Sequence, residues 1–161
     1  MTSPEPPRPR TAAPGDDPWH RLDADLEPCG QAMILHVRGE VDAHTRSRWD
    51  GLLNSALAAT VAGGSGHLLV DLSGSGFLSL RAILDLARVR RRCPVEIAGV
   101  DDREHSVVHR VVAAAGLSAW LPVYPDLVTA LADRSRAVGS PAPDLARARG
   151  RPASFAPTPS A

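Results

Sequence analysis

Apolar residues in this chain recur at two spacings, about two and about 3.6 residues, with glycine or proline between the runs. Leu22-Asp23-Ala24-Asp25-Leu26 alternates weakly and predicts an edge-like first strand. Ala32-Met33-Ile34-Leu35-His36-Val37-Arg38 predicts a second strand, ended by Gly39. Asp42-Ala43-His44-Thr45 then offers helix caps. Trp49, Leu52, Leu53, Ala56 and Leu57 follow at i, i+3, i+4, i+7 and i+8, the stripe of an amphipathic helix. Gly63-Gly64-Ser65-Gly66 breaks the chain, and His67 to Val70 is apolar enough for a central strand.

A small-residue loop follows Asp71, and Ser79 stands ahead of a second helix over 79–92 carrying Ile83, Leu84, Leu86, Ala87 and Val89. Arginines at 88 and 90–92 suit the negative end of that helix, and Pro94 forbids its continuation. Val95 to Val100 predicts another strand. Val107, Val108, Val111, Val112 and Ala115 share one face of a third helix over 104–115, with Gly116 as its stop. Leu121 to Tyr124 predicts a short last strand, and Asp126 caps a final helix through Leu127, Val128 and Leu131.

The order is β-β-α-β-α-β-α-β-α. Three strand-helix-strand units imply parallel pairing with right-handed crossovers. The expected fold is an α/β sandwich with a mixed sheet of four to five strands, His67–Asp71 central, and about four helices.

Composition narrows the picture further. Of the 161 residues, 15 are proline, six of them within residues 1–18 and five within 139–161. Those Pro-rich segments read as disordered tails around a single domain over 19–138. Eighteen cations, all arginine, balance 18 carboxylates, so no net field draws the chain to nucleic acid or to an anionic membrane. Cys29 and Cys93 are too few for a disulfide framework or a metal site. No apolar run is long enough for a membrane span, and the first residues, MTSPEPPRPR, lack a signal-peptide core. A cytoplasmic protein is the expectation.

Four segments, in order, resemble the STAS family of anti-sigma-factor antagonists. Val37-Arg38-Gly39-Glu40-Val41-Asp42 resembles the end of the family's second strand. Asp71-Leu72-Ser73 followed by Phe77-Leu78 resembles its signature loop. Val107 to Leu117 resembles its third helix and stop, and Leu121 to Leu131 its closing strand and helix. The likeness covers about Asp25 to Ala132. It implies a bacterial, non-enzymatic protein-interaction module in transcriptional regulation, one that binds an anti-sigma factor of the serine-kinase type. In the family a serine at the second helix start is the phosphate acceptor. Counted from Asp71, that position is Leu80, which has no hydroxyl, and the flanking family Asp, small polar residue and Gly fall on Ser79, Arg81 and Ala82. The resemblance therefore implies partner binding without phosphorylation at the usual place. The expected partner surface is Ser73, Gly74, Ser75, Gly76, Phe77, Leu78, Ser79, Leu80 and Arg81, with Asp42 at its rim.

Alternatives stand beside several of these residues. Ser79 is either an N-cap or a shifted phosphate acceptor. His105 and His109, four apart, are either surface histidines or half of a zinc site that has no further motif. Arg88, Arg90, Arg91 and Arg92 are either a solvated helix end or a surface for an acidic or phosphate-bearing partner. Trp49 is expected in the core and Trp120 under the last strand. No nucleophile elbow or phosphate loop is present, because Gly63-Gly64-Ser65-Gly66 precedes a strand instead of following one. No cofactor and no metal are implied. The other functional readings are a degenerate domain of this kind that binds a small ligand such as a nucleotide, and an oligomerising scaffold.

Overall fold

The computed structural model describes residues 21–139; the tail expectations for 1–18 and 139–161, apart from Gly139 at the end of the last helix, and Trp19 lie outside that range. The described chain runs β1 (Leu22–Cys29), β2 (Ala32–Val41), α1 (Arg46–Ala62), β3 (His67–Asp71), β4 (Ser75–Leu78), α2 (Leu80–Arg90), β5 (Glu96–Val100), α3 (Val107–Ala114), β6 (Val123–Tyr124) and α4 (Leu127–Gly139). The sheet is mixed, ordered β1-β2-β3-β5-β6, with β4 added on β2. β1 pairs antiparallel to β2, and every other pairing is parallel. The α/β architecture and the central place of β3 agree with the hydrophobic pattern.

The sheet has six strands among the described residues, instead of four or five, because the segment expected as loop contains β4. β2 also runs two residues past Gly39, where a terminus was expected. Both differences have one cause. β2 pairs with β3 over Ala32–His36, then with β4 over Gly39–Val41, and the register skips Gly76 on the β4 side. Gly39 (φ +98°) makes that change of partner possible, since its left-handed backbone is open to glycine at little cost.

Two cores flank the sheet. On one face Leu35, Val37, Leu68, Val70 and Ile97 meet Trp49 and Leu53 of α1, Ile83 and Leu86 of α2, and Val108 and Val112 of α3. On the other, Ile34, Leu69, Ala98 and Val100 meet Ala130 of α4, with Leu127 and Leu131 packed alongside. α4 leaves part of that second face open. There Asp25 pairs with Arg38 (2.5 Å), and His36 lies 2.9 Å from Asp71 and 3.4 Å from Glu27.

Helix bounds fall inside the expected ones, Leu80–Arg90 for 79–92 and Val107–Ala114 for 104–115, as caps and last turns drop out. Trp49 is fully buried. Trp120 is not under the last strand: it is exposed, with the Arg91 guanidinium 5.8 Å over its ring, because Leu121 takes the buried position of that turn. Val107, expected on the buried stripe of α3, is also exposed, and Val108 and Val112 carry that contact.

Candidate functional site

The signature segment runs between two fixed walls. On one side Gly39 N–H donates to the Gly74 carbonyl (3.4 Å), and Ser79 N–H donates to Val41 O (2.8 Å). On the other, Leu72 N–H donates to Val100 O (2.8 Å), and Asp102 N–H donates to Ser73 Oγ (3.2 Å). The turn is closed from within, where Asp71 Oδ1 accepts from Ser73 N–H (3.1 Å) and Ser75 Oγ donates to Leu72 O (2.7 Å). Gly74 is required for space: a Cβ there would sit 2.8 Å from Val37 O.

These contacts sort the nine consecutive residues expected as partner surface. Ser75 (5% exposed) and Leu78 (8%) point inward and hold the segment to the sheet. Phe77 (52%) and Leu80 (57%) present large apolar side chains to solvent, with Gly74, Gly76 and Arg81 exposed around them. Ser73 and Ser79 are half-buried and already engaged. Ser79 is the N-cap of α2, extended at φ −70° and ψ 148°, its Oγ accepting from Ala82 N–H at 3.3 Å.

Asp42 is tied into the β2–α1 turn. Its Oδ1 accepts from His44 N–H (2.8 Å) and Thr45 N–H (3.0 Å), and its Oδ2 from Arg21 Nη2 (2.9 Å). The Thr45 amide, then the His44 amide and the Arg21 charge, outweigh partial desolvation and hold the carboxyl below the usual aspartate range. Arg21 also bridges to Glu40. Asp42 thus shapes the rim of the groove between α1 and α2, a space of about 180 Å³ that Trp49, Ser79 and Arg81 also line.

The turn after β5 holds residues that the sequence pattern did not single out for this role. Arg103 makes a two-toothed contact with Asp101 (Nε–Oδ1 2.6 Å, Nη2–Oδ2 2.9 Å) and donates through Nη1 to Ser75 O (3.2 Å). Ser106 Oγ donates to Asp101 Oδ2 (2.7 Å) and accepts from His109 N–H, so it caps α3. The Ser106 cap ahead of the Val108 and Val112 spacing was the available signal. Nothing local announces that Arg103 reaches 28 residues back to Ser75.

Burial alone would raise the Asp101 pKa, but the Arg103 hydrogen bond, the Ser106 hydroxyl and the Arg103 charge together hold it below its ordinary value. A depressed pKa contributes stability above the unfolded value, near 3.9, that is lost as pH falls through the lower folded value. Asp101→Asn is therefore expected to destabilise the domain by about 2 kcal/mol near neutral pH. In urea titrations the gap from the native protein should close toward pH 2, and a gap independent of pH would contradict this account.

The remaining candidates separate in space. His105 precedes α3 and His109 lies within it; both are exposed, and among the described residues no group of three or more histidine, cysteine, aspartate or glutamate side chains could hold a metal ion. The arginine run has local partners, with Arg88 on Asp85 (3.3 Å), Arg90 near Glu96 (3.7 Å) and Arg91 over Trp120. Cys29 and Cys93 are free thiols. No helix among the described residues is long and apolar enough to cross a membrane.

Comparison with known proteins places this architecture. No family model matches the chain. It is 35% identical over 133 residues to Rv2638 of Mycobacterium tuberculosis, by name a candidate anti-anti-sigma factor, covering 81% of this chain and 87% of that one. It is 37% identical over 113 residues to the anti-sigma-F factor antagonist RsfA of the same species, covering 68% of this chain and 85% of RsfA. Among solved structures, an anti-sigma factor antagonist of Mycobacterium paratuberculosis superposes with a TM-score of 0.57 at 26% identity, covering 76% of this chain and 97% of that one. The unphosphorylated antagonist SpoIIAA shares the fold (TM-score 0.51, 18% identity, 71% of this chain and 97% of SpoIIAA). With that identity over most of the length of two antagonists, on a sheet and helix order of the same kind, the chain belongs to the STAS-fold family of anti-sigma-factor antagonists.

Proposed function

We propose that this protein is an anti-sigma-factor antagonist, a non-enzymatic module that captures an anti-sigma factor and so frees the sigma factor that the latter holds. Antagonist relatives matched over most of their length support this reading. The observation that carries it to particular residues is the pinned segment from Ser73 to Arg81, which presents Phe77 and Leu80 on a rigid base. Each large apolar side chain covered by a partner contributes roughly 1.5–3 kcal/mol, and pinning lowers the ordering cost of docking. We take the partner to be of the serine-kinase type, and Ser79 to act as helix cap instead of phosphate acceptor.

Capture is then constitutive. The residues in the first turn of α2 that face solvent are Leu80 and Arg81, and a kinase finds no hydroxyl on either. Ser79 keeps its oxygen on the Ala82 amide. The purified chain should be titrated by calorimetry against each anti-sigma factor encoded in its own genome, with and without ATP, followed by phosphosite mapping. A complex that ATP does not dissolve is expected, with no phosphate on residues 79–81. Stoichiometric phosphate on Ser79 would overturn the constitutive reading, and no complex with any of the anti-sigma factors would overturn the antagonist reading.

A further inference from the structure

The outer face of α2 carries an organised charge that extends beyond the pinned segment from Ser73 to Arg81. Leu80, Leu84 and Arg88 follow at intervals of four, so they form one stripe along the helix. Leu80 is exposed, and Leu84 is half-buried and outside both core clusters. Beside the stripe lies Asp85, which is 7% exposed and collects three guanidinium groups. Its Oδ2 accepts from Arg46 Nη2 of α1 (3.1 Å), and its Oδ1 from Arg81 Nε (3.2 Å) and Arg88 Nη1 (3.3 Å).

A buried carboxylate of this kind adds little to net stability, because its desolvation offsets its attraction to the cations. What it does is fix geometry. Each arginine gives Asp85 one of its N–H-bearing nitrogens and retains others, and the three side chains remain 42–53% exposed. On α1 and α2, including the longer Arg46–Asp50 contact (3.8 Å), three cations face two carboxylates, an excess of one positive charge in a chain of zero net charge, while Asp42 at the groove rim is matched by Arg21. The neighbouring groove is lined by Arg46, Arg81 and Trp49, whose buried indole N–H donates to no group among the described residues.

We propose that this face docks an acidic amphipathic segment of the anti-sigma partner, its apolar side chains against Leu80 and Leu84 and its carboxylates against Arg46, Arg81 and Arg88. Asp85 is the positioning residue, holding the three guanidinium groups in place before the partner arrives. The inference rests on the antagonist reading and adds to it the sign of the charge that the partner must bring. Recognition here is by fixed charge complementarity, which sets association rate and partner choice, and which salt weakens.

The test uses the full chain and each anti-sigma factor of its own genome, titrated at about 0.05 M and about 0.3 M salt. Arg81→Glu combined with Arg88→Glu should lower affinity at low salt by about 30-fold or more and flatten its salt dependence. Arg110→Glu combined with Arg136→Glu changes net charge equally at exposed positions on α3 and α4, and should leave affinity within about twofold. Asp85→Asn should weaken binding several-fold although it makes the patch more positive, with the salt dependence undiminished. If the glutamate pair does not fold, Arg81→Gln with Arg88→Gln replaces it, with about tenfold weakening expected. Equal losses in the two double variants, or none in either, would overturn this inference while leaving the antagonist reading intact. Failure of the native chain to bind any of the anti-sigma factors would overturn both.

Discussion

Gly39→Ala is expected to be severely destabilising, moving the unfolding midpoint of the domain far below that of the native protein. An added Cβ would lie 2.1 Å from the Arg21 carbonyl oxygen and 3.0 Å from its carbon, both backbone atoms. Arg21 cannot draw back easily, because Leu22 beside it is fully buried and is paired with Gly39 across β1 and β2. The φ of +98° adds a strain that alanine does not relieve. Clash and strain together should cost about 4 kcal/mol or more, against a total stability of roughly 5–15 kcal/mol for a domain of this size. Gly30→Ala is the control. Its φ is also positive (+59°), but the added Cβ meets nothing within 4 Å, so about 1 kcal/mol is expected. Urea unfolding followed by circular dichroism reads both, and a Gly39→Ala protein within about 1 kcal/mol of native would contradict the close-approach argument.

Trp49→Ala should cost about 3–5 kcal/mol. Trp49 is the largest fully buried side chain of the main core, and alanine would leave a cavity where α1 meets the sheet and the start of α2. Trp49→Phe should cost clearly less, because much of the volume stays and a buried N–H without an acceptor among the described residues is removed. Equal losses for the two variants would mean that packing volume is not what Trp49 contributes. The groove wall that Trp49 shares with Arg46 and Arg81 makes a second outcome measurable, since any Trp49→Ala protein that folds should bind the anti-sigma partner more weakly than native.

How much was legible in the pattern varies by element. α1 and α2 announce themselves through 3.6-residue periodicity, and β3 through an unbroken apolar run. β4 does not: Ser75-Gly76-Phe77-Leu78 has loop composition, and it becomes a strand only because β2 offers Gly39 to Val41 as a ladder. Trp120 illustrates the opposite failure. A tryptophan near a buried strand reads as core, yet the turn after α3 can bury only one of Trp120 and Leu121, and Leu121 fits.

The candidate site divides in the same way. Local rules identify Ser79 as a cap and Leu80 as a residue without a hydroxyl, since both depend on one short stretch and its direction of entry into a helix. The same rules could not tell that Ser75 and Leu78 face inward while Phe77 and Leu80 face out. That split depends on the skipped residue at Gly76, which changes the facing of the strand partway along. Nor does spacing reveal that Arg46 of α1 meets Arg81 and Arg88 on Asp85, or that Arg103 braces Ser75.

The order of the elements other than β4, the two helix faces, the caps and the lack of a hydroxyl at Leu80 were therefore already fixed along the chain, because each follows from contacts a few residues apart. Tertiary structure decided the sixth strand, the exposed members of the signature segment, the Asp101–Arg103 brace and the arginine fan on Asp85. Each of these joins residues 28 to 39 positions apart or depends on which backbone a strand finds beside it. Periodicity carries no information about such meetings, since it reports which way a side chain faces and not what it faces.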